Sequence, residues 1–257
     1  MGDFITICFL YSRSMNIYGD RGNVIALKKR VEWRGKDVVV EEYNIGDQYD
    51  FTKVDLFFFG GGQDQQQLAV AVDLKHVGEM IKDQIIKSKA AMLAICGGLQ
   101  LMGKYYDPID NDRIDGTGLF DLYTVGGKER FIGNVLARSD IGGEGQTLVG
   151  FENHSGRTYV NLEKNKPLAK VEYGRGNNGE DGTEGVVFHN AVGSYLHGSL
   201  LPKNPWLADW LIKKAFERKY GTYQLCELND EVEHVAHQKA IDIARKVTRV
   251  TNISQKK

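Results

Sequence analysis

Residues 4–11, 38–43, 54–59 and 90–95 are almost continuously apolar, and each run ends in turn-forming residues. Runs of this length without polar alternation predict strands covered on both faces. Between them the apolar period lengthens. Residues 22–34 carry Val24, Ile25, Leu27 and Val31 at helical spacing, and residues 68–88 carry Leu74, Val77, Ile81 and Ile85 in the same way. Strands alternating with helices predict an α/β domain built on a parallel sheet with right-handed crossovers.

From residue 117 to 196 the pattern changes to short strands punctuated by glycine-rich turns. The stretch 174–185, rich in Gly, Asn and acid, predicts an exposed loop or hairpin tip. Pro205 suits the first turn of a helix through Trp206, Leu207, Trp210, Leu211 and Ala215. In the tail, Val232, Val235, Ala236, Ala240, Ile243, Ala244, Val247 and Val250 form a helical stripe. Acidic residues (Glu227, Asp230, Glu231, Glu233) precede it, and basic ones (Arg245, Lys246, Arg249) close it, matching the helix dipole. This helix reads either as a lid packed on its own domain or as a docking element for another subunit. The expected division is a main domain at residues 1–222 and a helical extension at 223–257.

Composition narrows the class. The 257 residues are 42% hydrophobic and 26% charged with a net charge of -1, an ordinary globular balance that gives no general attraction to nucleic acid or anionic membranes. No apolar run approaches the roughly 20 residues of a membrane span, so no membrane insertion is expected. The first ten residues lack the basic start and small-residue cleavage site of a signal peptide. Cys8, Cys96 and Cys226 are odd in number and far apart, which points away from disulfides and towards the cytoplasm.

The strongest chemical signal is 90-AAMLAICGGLQ-100. A buried strand runs into Cys96, then Gly97 and Gly98, then a helix expected over residues 99–105. This is the layout of a nucleophile elbow, a sharp turn that exposes one side chain. The helix N-terminus favours a thiolate, and the Gly97 N–H is placed to hold an oxyanion. Taken by itself, Cys96 reads equally as a buried structural thiol. Residues 54–59 end in Gly60-Gly-Gly62-Gln-Asp64, which puts free N–H groups at the carboxyl edge of the sheet. The Lys-Ser/Thr ending of a phosphate loop is missing, so Gly61 or Gly62 is expected as a second oxyanion donor. Of the six histidines, His197 follows a strand at residues 192–196 and precedes Gly198, the best position for a base. His76 and His189 read as structural or solvated. His234 and His237 stand i,i+3 without a third ligand, so no metal is expected.

These motifs, with Gly150-Phe-Glu-Asn-His-Ser-Gly156, Tyr195-Leu-His-Gly198 and Met15-Asn-Ile-Tyr-Gly-Asp-Arg-Gly-Asn23, resemble the class I glutamine amidotransferases of the cobyric acid synthase branch. Within that branch the chain is most similar to the glutaminase subunits of lipid II isoglutaminyl synthases, over nearly its whole length. The resemblance implies a three-layer α/β/α flavodoxin-like fold. It makes Cys96 the nucleophile, His197 the base and Arg130 the clamp on the substrate L-glutamine, with Gly61, Gly62, Gly97 and Gln100 around the substrate. It implies no cofactor in this chain and a heterodimer with a Mur-ligase-like synthetase partner, which would carry ATP and Mg for peptidoglycan biosynthesis. An acceptor such as a cobyrinic-type acid, a non-catalytic subunit and a cysteine peptidase are the competing readings. One departure stands out. Ser199 occupies the position where the family usually has a glutamate two residues after the histidine. The orienting acid is therefore absent, lies elsewhere in the chain, or comes from the partner, which the resemblance favours.

Overall fold

The structure is a computed structural model that describes residues 2–254, with side chains through residue 246. The expected apolar runs are strands β1 (Phe4–Leu10), β2 (Asp37–Tyr43), β3 (Leu56–Phe59) and β4 (Ala91–Ile95). The helices between them are α1 (Arg21–Glu32) and α2 (Asp64–Ile86), and α3 (Gly97–Met102) follows β4. The chain continues through β5 (Tyr105–Asp107), β6 (Ile114–Asp115), β7 (Leu122–Ser139), β8 (Gln146–Val160), β9 (Ala169–Tyr173) and β10 (Thr183–Glu184). It closes with β11 (Val186–Phe188), β12 (Ala191–Ser194), β13 (Leu196–His197), α4 (Pro205–Tyr220) and α5 (Glu231–Ser254).

The first sheet has the order β11-β12-β4-β3-β1-β2 and is parallel apart from β11. Its central strands β3 and β4 are buried along their whole length, as their unbroken apolar sequences require. β2 differs from expectation: it lies at the sheet edge, and Val39 is exposed. Helices α1 and α4 pack on each other and on the sheet, and α2 packs with α3, which gives the three layers. Helix α2 starts four residues earlier than its apolar period, because its first turn, Asp64 to Gln67, is polar. Helix α3 stops at Met102, and Tyr105 opens a strand instead.

The second sheet departs most from the sequence pattern. β7 and β8 are 18 and 15 residues long and form one antiparallel hairpin rather than several short strands. The glycines that read as turns, such as Gly150, sit inside the strands. A Cβ on Gly150 would stand 2.7 Å from the Leu196 side chain, so this glycine serves close packing rather than a turn. The stretch 174–185 is the expected hairpin tip between the antiparallel β9 and β10, with Arg175, Glu180 and Asp181 exposed, but it is anchored from inside. Asn177 is fully buried, its amide donates to Thr183 Oγ1 and the Gly185 carbonyl, and its own oxygen accepts from the Gly185 N–H. The polar composition there satisfies backbone groups inside the fold.

The tail helix packs on β7, β8 and β9. Its buried residues are Ile241 and Ala244, against Leu136 and Val149, with Ala240 alongside. Val232, Val235 and Ile243 of the expected stripe are exposed instead. Val247, Arg249 and Val250 lie outside the residues whose side chains are described. No helix among the described residues is long and apolar enough to cross a membrane, and no group of three His, Cys, Asp or Glu could hold a metal.

Candidate active site

Cys96 sits between the end of β4 and the start of α3 with φ 50° and ψ -105°, a backbone conformation that L-residues rarely adopt. Such strain costs about 1–3 kcal/mol and persists only where surrounding structure enforces it. The enforcement is visible at Gly98: a Cβ there would lie 2.6 Å from the Phe59 carbonyl oxygen, so β3 presses directly on the turn. The result is a thiol that is 7% exposed at the wall of a cavity of about 480 Å³.

The two glycine segments meet at this turn. The Gly62 amide nitrogen stands 3.0 Å from where a Cβ on Gly97 would be. Gly61 does not share that position: its N–H donates to Asp20 Oδ2 at 2.6 Å and is committed. Of the two expected donors from this loop, the geometry leaves Gly62.

His197 reaches the site by a sheet change. β12 ends at Ser194, and the chain crosses into the second sheet, where Leu196 and His197 pair with Glu152 and Phe151 of β8. The expected strand at residues 192–196 is therefore split. The His197 ring is 1% exposed and meets the Tyr18 ring edge-on at 5.0 Å. Its Nε2 has no hydrogen-bond partner. Burial works against protonation, but the Cys96 sulfur and the Asp20 carboxylate outweigh it and raise the imidazole pKa to about 10.

Asp20 is the residue that sequence reasoning missed. It is fully buried just before α1, and its Oδ1 lies 3.3 Å from His197 Nδ1. The carboxylate can only accept, so Nδ1 carries the proton and Nε2 is left for chemistry. A carboxylate of this chain thus faces the His197 ring. Ser199, where a glutamate was expected, donates to the Gly19 carbonyl at 2.8 Å and tethers the residue before Asp20. Asp20 lies in Tyr18-Gly-Asp20, within a motif singled out after β1 for its resemblance alone.

Arg130 lines the cavity from β7, with Nε on Asn153 Oδ1 at 2.6 Å. Gln100 also lines it, with Oε1 accepting from Gln67 and Nε2 donating to the Tyr195 hydroxyl, each at 3.1 Å. Gln67 in turn donates to the Gly62 carbonyl, which braces the glycine turn. His154, a second missed residue, lies against Tyr195 with ring centroids 3.7 Å apart. Burial lowers its pKa to about 3, so it contributes a neutral face. His189, His234 and His76 do not line this cavity, and His237 is held by Thr147 and the Lys203 carbonyl.

The arrangement offers a strained thiol, a buried base with its own carboxylate, two adjacent backbone donors and a charged cavity, which together suit attack on an acyl carbon. Comparison with known proteins agrees with that chemistry. The CobB/CobQ-like glutamine amidotransferase domain model matches residues 6–205. The chain is 39% identical to the subunit GatD of lipid II isoglutaminyl synthase (glutamine-hydrolyzing) from Staphylococcus aureus, covering 94% of this chain and 97% of that one. It is 43% identical to the subunit of the same name from Streptococcus pneumoniae, covering 84% and 82%. A probable cobyric acid synthase from Methanothermobacter thermautotrophicus is 31% identical over 63% of this chain but only 33% of its own length. Among solved structures, PurLQS from Thermotoga maritima shares the fold with a TM-score of 0.55 at 14% identity, covering 84% of this chain and 98% of that one.

Proposed function

Because the chain belongs to the CobB/CobQ-like glutamine amidotransferase family, we propose that it is the glutamine-hydrolysing subunit of a lipid II isoglutaminyl synthase. The observation that carries this reading is the strained Cys96 facing a cavity, backed by His197 with an unpartnered Nε2. Identity of 39% and 43% across most of the chain to two GatD subunits supports the lipid II acceptor over a cobyrinic-type acid.

In the proposed reaction the Cys96 sulfur attacks the carboxamide carbon of L-glutamine as a thiolate, its proton resting on His197 Nε2. Charge builds on the carboxamide oxygen, where the Gly62 and Gly97 N–H groups receive it. His197 returns the proton to the departing nitrogen, which leaves as ammonia and gives a thioester. Water then loses a proton to His197, attacks the thioester carbon, and releases glutamate with Cys96 restored. Asp20 holds the ring in one tautomer throughout and stabilises its cationic form. Arg130 receives the α-carboxylate, a task its planar donors suit.

Ammonia passes to a Mur-ligase-like, MurT-type partner in a cytoplasmic heterodimer. There ATP activates the α-carboxylate of D-glutamate in the lipid II stem peptide, and amidation yields isoglutamine. The test is to supply glutamine, ATP and lipid II to the chain, to the partner, and to both. Glutamate release should need this chain, and lipid II amidation should need both proteins. Amidation by the partner at the same rate from glutamine without this chain would overturn the assignment.

A further inference from the structure

The cavity wall is polar, with one charge of each sign. Among the described residues that line it, Arg130 carries the one cation and Asp64 the one carboxylate, while His154 is held neutral by burial. Asp64 opens helix α2 and is partly exposed to the cavity. It lies against Tyr106, another wall residue, whose hydroxyl is pushed up to about 12 by burial and by the charge of Asp64. Asp64 follows Gly62 by two residues, a span of at most about 7 Å. In glutamine the α-nitrogen is four bonds from the carboxamide carbon, each about 1.5 Å. With the carboxamide oxygen on the Gly62 amide, the α-ammonium falls within reach of Asp64.

We infer that Asp64 is the specificity-determining acceptor for the α-ammonium of the substrate, and that with Arg130 it selects a zwitterionic α-amino acid amide over amides lacking either charge. The inference rests on the glutaminase reading and extends it to the recognition of the non-reacting end. Asp64 has a simpler role as the acid in the first turn of α2, which complements the helix dipole. That role is indifferent to what the substrate carries, so the two are separable.

The test uses three electrophiles that alkylate Cys96 by displacement of chloride by the thiolate, so that no turnover is required. They are L-2-amino-4-oxo-5-chloropentanoate, which has both charged groups, 5-chloro-4-oxopentanoate, which lacks the ammonium, and chloroacetone, which lacks both. Second-order labelling rates at Cys96 are read by mass spectrometry for the wild-type chain, Asp64→Asn and Arg130→Ala, with melting temperatures as a folding control. Asp64→Asn should slow the first reagent about 10- to 100-fold, the range for a lost hydrogen bond to a charged group, and leave the other two unchanged. Arg130→Ala should slow the first two and spare chloroacetone. Unchanged labelling of Asp64→Asn by the first reagent would overturn the inference, and so would equal slowing by all three. A wild-type chain that fails to prefer the first reagent over chloroacetone would instead overturn the glutaminase reading itself.

Discussion

Asp20 and His197, 177 positions apart in sequence, meet through a 3.3 Å contact between Oδ1 and Nδ1, with both side chains sealed from solvent. The separation is longer than the about 2.7–2.9 Å of a strong charged hydrogen bond, but no competing donor takes Oδ1. Asp20→Asn should therefore lower kcat for glutamine hydrolysis. The equivalent loss in a serine protease is roughly 10⁴-fold, and a thiol depends less on its base, so about 10²-fold is expected. Because Asp20 raises the pKa of His197, its removal should also move the alkaline limb of the rate profile to lower pH. The deficit should be the same with and without the synthetase partner. Full rescue by the partner would show that the working acid comes from that protein.

Cys96→Ala and Cys96→Gly should both abolish glutamine hydrolysis, but they should differ in stability. Alanine inherits the φ of 50° and its strain, whereas glycine adopts it freely. Glycine also gains entropy in the unfolded chain, by about 0.4–1 kcal/mol. The balance leaves Cys96→Gly more stable than Cys96→Ala by about 1 kcal/mol, measured by urea denaturation. The reverse order would mean the turn is relaxed.

Arg130→Ala should raise KM for glutamine about 10- to 100-fold with a smaller change in kcat, since a carboxylate clamp acts before and during the chemical step. Steady-state kinetics on the complex decide it. An unchanged KM would return Arg130 to its other contact, the Asn153 side chain.

Glu184 is fully buried, and burial raises its pKa to about 7 from the ordinary 4.5. The folded protein keeps a proton that the unfolded chain releases between those values, so stability should fall as pH rises through this window. Glu184→Gln keeps the oxygen that accepts from Ser194 Oγ and the Tyr195 N–H, and it cannot ionise. The variant should gain on the wild type between pH 4.5 and 8, by on the order of 2 kcal/mol at the upper end. Denaturation midpoints that run parallel across that range would place a charged carboxylate in the core.

The legible parts of the molecule were those encoded locally. β4, Cys96 and the two glycines are contiguous, so the elbow could be read from eleven residues. The Asp20 contact could not, because a lone acid beside Arg21 looks like a helix-start charge until the fold brings His197 to it. The glycines of β7 and β8 misled in the opposite direction: they answer to side chains packed across from them, such as Leu196, and not to chain reversal. In α5 the period was right and the stripe was half right: Ala240 and Ala244 face inward as read, while Val232, Val235 and Ile243 do not. Which isoleucine of 241 and 243 goes inside is decided by where Leu136 and Val149 lie.

The two oxygens of Asp20 are taken by different segments: Oδ1 meets the His197 ring, and Oδ2 takes the Gly61 N–H next to Gly62. One carboxylate thus clasps the imidazole to the glycine turn at residues 60–62, and neither can be re-aimed without the other. Tyr18, half exposed two residues before it, meets the same imidazole edge-on, so one short stretch of chain holds His197 from two sides.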